Sequence, residues 1–273
     1  MRLLLPVLVS LGLATAQSEA RSPGCARAAA PPPARFVVAG RQREAILVLP
    51  SPYRRDRLYP LIIAFHGRTN TNAQARDYFG LEATASPPAI FVYPAGLRDA
   101  SGQFTWSDPG DRPGALRDFA LFDTIVSDLA ERFCVDLHAV FVVGHSLGAS
   151  FANSLACARG GQVRAVGSVA GGIDGTACTG RAAALLLHNP ADRAVPIGEG
   201  LRARDALLGD ADPVPPSTRQ FGAFACEASS AGSGPVLWCL YCDSFTRSGH
   251  YYPHQWPAGA GPVIIRFFHG LAD

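Results

Sequence analysis

The chain has 273 residues, of which 48% are hydrophobic and 17% charged, with a formal net charge of +2. That length accommodates one large α/β domain with a substantial core. The near-neutral balance supplies no basic field for nucleic acid and no acidic tract typical of disorder, while 28 Gly and 22 Pro suit a loop-rich fold better than a helical bundle.

The N-terminus has the layout of an export signal. Arg2 provides the positive start, Leu3 to Leu13 a short apolar run, and Ala14-Thr15-Ala16 a small-x-small cleavage site. The run is too short to span a bilayer comfortably. Residues 1–16 are therefore expected to be a signal peptide, leaving a secreted or periplasmic protein that starts near Gln17 and keeps no membrane association. Residues 17–34, rich in Ala, Pro and Arg, read as an irregular surface segment that Cys25 can tie down. Residues 35–273 read as one domain.

Arg35 to Val38 and Glu44 to Leu49 are predicted to be antiparallel strands joined around Gly40. Leu61 to Phe65 and Ala89 to Tyr93 are short apolar runs without alternation, the pattern of parallel strands covered on both faces. Between them His66-Gly67-Arg68-Thr69-Asn70 forms a strand-end loop and Gln74 to Phe79 a short helix. Pro94 to Pro113 is a long loop holding Trp106. From Arg117 the apolar residues Phe119, Phe122, Ile125, Val126, Leu129 and Phe133 recur at helical spacing, with Asp123, Asp128 and Glu131 outward. Strands follow at Ala139 to Val143, Ala165 to Ala170, Ala182 to Leu187 and Pro235 to Tyr241, with helices at Ala149 to Arg159, Gly198 to Leu208 and Val263 to His269. Alternating strands and helices predict a mostly parallel sheet with helices on both faces.

The chemistry centres on Gly144-His145-Ser146-Leu147-Gly148, set between a buried strand and a helix. Strand, G-x-S-x-G, helix is the layout of a nucleophile elbow. A serine hydroxyl needs a base that is itself held by a carboxylate, and on such a sheet the order along the chain is Ser, acid, His. Asp192 lies just past an apolar strand downstream of Ser146; Asp174, in a glycine-rich turn, and Asp205, on a helix face, are weaker choices. The base comes from Ser248-Gly-His-Tyr-Tyr-Pro-His-Gln-Trp-Pro257, where His250 is preferred over His254 because Gly249 permits a tight approach. His66 and His145 suit hydrogen bonding and loop shaping, and His269 packing on the closing helix. The backbone N–H groups of Leu147 and Arg68, with Thr69 as the alternative to Arg68, are positioned to receive an oxyanion. No metal or organic cofactor is required.

The cysteines are Cys25, Cys134, Cys157, Cys178, Cys226, Cys239 and Cys242. An oxidising compartment pairs most of them and leaves one over. A Cys226–Cys239 bridge would close a short Gly/Ser-rich excursion. Cys239-Leu-Tyr-Cys242 matches C-x-x-C, but it lies in a predicted strand with no second ligand pair, which speaks against zinc or redox use.

Five stretches together resemble the feruloyl esterase and polyhydroxybutyrate-depolymerase-like group of secreted α/β-hydrolases: Tyr59 to Gly67, Asp118 to Asp123, Val140 to Gly148, Asp192 to Pro196, and Val236 to Cys239 with Gly249-His250. The resemblance runs from about Cys25 to Phe268. It implies an α/β-hydrolase fold, Ser146, Asp192 and His250 as nucleophile, acid and base, and a disulfide in the region of Cys226 and Cys239. The implied substrate is an ester, with feruloyl groups on plant cell-wall polysaccharide first and hydroxybutyrate or acetyl esters second. Trp106, Tyr251, Tyr252 and Trp256 are candidates to line a phenolic acyl pocket. A hydrolase-fold binding protein without catalysis is the competing class, though such proteins usually lack a triad member.

Overall fold

The computed structural model describes residues 20–27, 33, 35–107, 117–175, 178–180, 182–209, 217–231 and 234–272. The expected signal peptide, residues 1–16, lies outside them. In chain order the strands and helices are β1 (Arg35–Val38), β2 (Arg41–Val48), β3 (Tyr59–Phe65), α1 (Asn72–Phe79), β4 (Ile90–Pro94), β5 (Leu97–Arg98), β6 (Phe104–Thr105), α2 (Arg117–Arg132), β7 (Val135–His145), α3 (Leu147–Ala158), β8 (Ala165–Val169), β9 (Ala183–His188), α4 (Ile197–Leu208), β10 (Ser217–Phe221), β11 (Phe224–Ala231), β12 (Gly234–Leu240) and α5 (Ala260–Ala272).

Ten strands make one sheet in the order β1-β2-β4-β3-β7-β8-β9-β12-β11-β10. The block from β4 to β12 is parallel, and antiparallel pairs β2-β1 and β11-β10 close its two edges. Every residue of β3, β4, β8 and β9 is buried, which is why these strands are predominantly apolar, with Ser168 in β8 and His188 at the end of β9 as buried polar exceptions. One face packs against Phe119 and Phe122 of α2, Phe151 and Leu155 of α3 and Leu207 of α4. The other packs against Phe79 of α1 and Val263, Ile264 and Phe268 of α5. The two covered faces and the parallel order are those of an α/β-hydrolase.

The connections run outward from β3 to β4 and then cross to β7 on the other side of β3, so the strand order reverses between β3 and β7. In open α/β sheets the crevice at such a reversal, past the carboxyl ends of the strands, is where ligands bind. Phe65, the last residue of β3, pairs with Gly144 near the end of β7. The His66-Gly67 loop and the Ser146 turn therefore emerge side by side.

The structure departs from the sequence-based expectation in several places. β2, β3 and β7 begin earlier, at Arg41, Tyr59 and Val135, and α5 runs longer, from Ala260 to Ala272. The β10-β11 hairpin was not predicted: four of the five β10 residues are exposed, as suits a polar edge strand, and no apolar run marks it. Within the long loop after β4, β5 and β6 form a small antiparallel pair.

Three disulfides join Cys25 to Cys134, Cys157 to Cys178 and Cys226 to Cys239, and Cys242 is free and exposed. The Cys226–Cys239 pair matches the sequence reading and links directly opposed residues of β11 and β12. It also removes Cys239 from any C-x-x-C function. Cys25 anchors residues 20–27, aided by the Ser22 hydroxyl, which donates to Phe133 O at 2.7 Å. No helix among the described residues is long and apolar enough to cross a membrane.

Beneath the loop after β4, Arg43 and Asp118 form an ion pair of 2.6 Å, with their side chains 2% and 0% exposed. Arg43 also donates to Ala95 O, and Asp118 accepts from the Ser107 amide and hydroxyl. The pair thus ties β2 and α2 to the loop that passes behind the site. Removing one member of a buried pair strands the other, so Asp118→Ala is expected to cost about 3–5 kcal/mol in urea denaturation. Replacing both residues with apolar side chains of similar volume is expected to recover most of that loss.

Candidate active site

Ser146 sits at the turn from β7 into α3 with φ 57° and ψ −126°. A side chain at such a φ is strained, by about 1–3 kcal/mol, and persists where neighbours over-determine it. They do so here through close backbone packing. A Cβ on Gly144 would collide with Gly148, and one on Gly148 with the Phe65 carbonyl, so both positions require glycine. The turn leaves Ser146 half-buried at the crevice, at the N-terminus of α3.

Asp192 follows β9 and is 4% exposed. One carboxylate oxygen accepts the Ala194 and Val195 amides at 2.8 and 3.0 Å, and the other accepts from His254 Nδ1 at 2.7 Å. Burial alone raises this carboxyl, but the His254 hydrogen bond and the two amides outweigh it and hold the group below the usual aspartate range. His254 Nε2 in turn accepts from the Ser146 hydroxyl at 2.7 Å. Since a carboxylate only accepts, Nδ1 carries the proton and Nε2 is free to take one from the serine.

The structure thus brings His254, not His250, between Ser146 and Asp192. The reason lies in Gly249. Its φ of 81° serves a surface turn in which Phe245 bridges Tyr251 and the Gly249 amide donates to Thr246 O. His250 stands exposed on that small hairpin, its amide held by the Thr246 hydroxyl. The chain needs four more residues to return to the sheet edge. There the Ser244 hydroxyl donates to Tyr252 O and Gln255 O, and the Tyr241 hydroxyl to Gln255 O, fixing the segment that carries His254. Asp174 and Asp205 take no part in the hydrogen bonds of Ser146 and His254 described above.

Facing Ser146 across the crevice is the loop after β3. Gly67 packs so closely that a Cβ there would lie 3.3 Å from that of Ser146. His66 braces this loop from below: its Nδ1–H donates to Gly67 O at 2.8 Å and its Nε2 accepts the Gly96 amide at 2.9 Å. Burial holds its pKa below the ordinary histidine value. A cavity of about 570 Å³ opens over Ser146, lined by Gly67, Arg68, Tyr78, Thr246, Tyr252 and Gln255 among others.

Of the four aromatics expected at an acyl pocket, Tyr252 lines this cavity. Trp106 and Trp256 are buried: the Trp106 indole donates to His66 O at 2.9 Å, and Trp256 stacks on Phe79 at 4.2 Å. Tyr251 is exposed and its hydroxyl meets Asn189. Tyr78 was not singled out from the sequence. It lies on α1, four residues after Gln74, and both face the cavity. The signal available was the Thr71–Gln74 capping box, which fixes the start and hence the phase of α1. Among the described residues, no group of three or more His, Cys, Asp or Glu is arranged to hold a metal ion.

The model of the putative esterase family matches residues 37–238. Feruloyl esterase C from Emericella nidulans is 31% identical over 216 residues, spanning 76% of this chain and 75% of its own. Probable feruloyl esterase C from Aspergillus niger is 30% identical over 212 residues, spanning 74% of each chain. Among solved structures, a CE1 ferulic acid esterase from Anaeromyces mucronatus in complex with ferulic acid superposes with TM-score 0.57 at 14% identity, over 87% of this chain and 88% of that one. Acetyl xylan esterase from Aspergillus awamori gives TM-score 0.61 at 14% identity, over 83% and 94%. At that identity the structural likeness speaks to the fold, whereas the sequence matches speak to descent. The chain belongs to the putative esterase family, among relatives that include feruloyl esterases, and is a carboxylic ester hydrolase.

Proposed function

We propose that the protein is a secreted serine esterase that hydrolyses feruloyl esters of plant cell-wall polysaccharide through Ser146, His254 and Asp192. The observation that carries this reading is the unbroken hydrogen-bond chain from the Ser146 hydroxyl through His254 to Asp192, at 2.7 Å in both links. Ser146 attacks the ester carbonyl as His254 Nε2 takes its proton. Asp192 holds the imidazole tautomer and stabilises the imidazolium that forms. The amides of Leu147 and Arg68 receive the oxyanion, each such donor being worth about 10²–10³ in turnover. His254 then protonates the leaving alcohol, and water repeats the sequence to release the acid.

The cavity wall supports a saccharide ester over an apolar polyester. Arg68, Asn70, Gln74, Asp77 and Arg247 offer charged and hydrogen-bonding groups suited to sugar hydroxyls, while Tyr78 and Tyr252 supply rings for a flat phenolic acyl group. Export is supported by the signal-like N-terminus and by three disulfides, which persist in oxidising compartments. The mature protein then acts as one catalytic domain over residues 35–273. Purified protein assayed against methyl ferulate, p-nitrophenyl acetate and a short hydroxybutyrate oligomer tests the substrate class. Preferential turnover of methyl ferulate is expected. Preference for the oligomer or the acetyl ester moves the assignment to those classes, and turnover of none returns it to a binding protein.

A further inference from the structure

His254 sits on a loop that leaves the sheet at Leu240, yet a general base must hold its ring within a fraction of an ångström of the line between nucleophile and acid. The side chain that reaches its own peptide unit is His145, the residue immediately before Ser146. His145 ends β7, and its backbone is fixed by pairing with Val169 of β8. Its buried imidazole has both nitrogens engaged. Nε2 meets the His254 carbonyl at 2.9 Å and Nδ1 meets the Tyr78 hydroxyl at 3.1 Å. A carbonyl only accepts, so Nε2 carries the proton, Nδ1 is the lone pair, and Tyr78 donates to it. The two imidazoles also stack in a tilted arrangement, with centroids 5.4 Å apart and planes 30° apart.

We propose that His145 is a positioning residue for the base: its Nε2–H, given to the His254 carbonyl, and its ring, stacked on the His254 imidazole, hold the base on line, while Tyr78 fixes the His145 tautomer from the other side. The inference rests on the Ser146–His254–Asp192 reading. The groups facing His145 are Tyr78 from α1, His254 and Trp256 from the closing loop, and the Asp192 carboxylate beyond His254. Burial, helped by the nearby His254, holds its pKa down to about 4. It therefore stays neutral across the working range and places no cation beside the base. Burial pushes the Tyr78 hydroxyl up, so Tyr78 keeps the proton it donates.

The full-length His145→Phe, His145→Gln and Tyr78→Phe proteins, and the His145→Phe/Tyr78→Phe double variant, test this with methyl ferulate. Phenylalanine keeps the ring but removes the donor, and kcat is expected to fall by about 10²-fold with KM little changed. Glutamine places an amide N–H where Nε2 was, and most of the loss is expected to return. Tyr78→Phe lowers kcat in the native background and costs nothing further in the His145→Phe background, because the acceptor it served is gone. A Tyr78 that simply touched substrate would cost the same in both.

A folded His145→Phe protein with native kcat overturns the proposal, as does a glutamine variant no better than phenylalanine. If His145→Phe does not fold, Tyr78→Phe decides, and an unchanged kcat in that variant overturns the proposal. Ser146→Ala, assayed alongside, separates the two levels. Full activity in that variant removes the serine mechanism itself, whereas its inactivity together with native His145 variants removes the positioning role alone.

Discussion

Ser146→Ala is expected to lose about 10⁶-fold in kcat on an ester substrate while its thermal midpoint stays at or above that of the native protein. The expected loss follows from the chemistry. The hydroxyl is the group that His254 Nε2 faces at 2.7 Å, and no other side chain makes a described hydrogen bond to that nitrogen. The expected retention of stability follows from the backbone. Ser146 occupies φ 57° because Gly144, Gly148 and the end of β3 crowd the turn, and alanine bears the same strain as serine there. Two readouts separate a chemical loss from a structural one. A fluorophosphonate labels the native protein at Ser146, as mass spectrometry of the peptide would locate, and does not label the variant. Unfolding curves meanwhile show a cooperative fold in both. A variant that turns over methyl ferulate at the native rate removes the serine from the mechanism.

The elbow was legible in the sequence because every part of it is local. The apolar run of β7 has no alternation, the two glycines bracket the serine, and the period changes to a helix at once. Asp192 was legible for a related reason: Ala182 to Leu187 is an unbroken apolar run, so the first acidic residue past its end falls at the carboxyl edge of the sheet. The base was not legible to the same depth. Choosing between His250 and His254 depends on the Phe245–Tyr251 bridge, a hairpin too short to announce itself in composition, and Gly249 drew the reading to His250, which the structure leaves outside the hydrogen bonds of Ser146 and Asp192, by serving that hairpin's turn. The contact between His145 and the carbonyl of residue 254 spans 109 positions, and nothing in Gly-His-Ser-Leu-Gly marks the histidine as more than a permitted residue. The β10-β11 hairpin escaped for the opposite reason from the buried strands. An edge strand with polar side chains on most positions lacks the apolar signature that makes β3 or β9 conspicuous. The aromatic residues misled in one direction. Trp106 and Trp256 carry large apolar surfaces beside the site, but the fold uses them underneath it, where each supports a histidine or a helix rather than a ligand.

His254→Ala is expected to lower kcat about as far as Ser146→Ala, again by about 10⁶-fold, since members of one catalytic unit are not additive. His250→Ala is expected to leave turnover close to native. The contrast rests on where each ring stands. His254 is 8% exposed and bonded at both nitrogens to groups of the site, whereas His250 is exposed on the hairpin tip. Removing the His254 ring takes one donor from the Asp192 carboxylate, but the Ala194 and Val195 amides still bind that group, so the acid remains in place and the fold is expected to survive. Labelling adds a second discriminator. Without its base the Ser146 hydroxyl is an ordinary alcohol, and fluorophosphonate labelling in His254→Ala should slow in step with turnover, while His250→Ala labels at the native rate. The opposite pattern, an inactive His250→Ala beside an active His254→Ala, would require the Phe245–Tyr251 hairpin to open and carry residue 250 down to the sheet edge in the working enzyme. That rearrangement would also have to break the Ser244 hydroxyl's bonds to the carbonyls of Tyr252 and Gln255, so a Ser244→Ala variant would then gain activity rather than lose it.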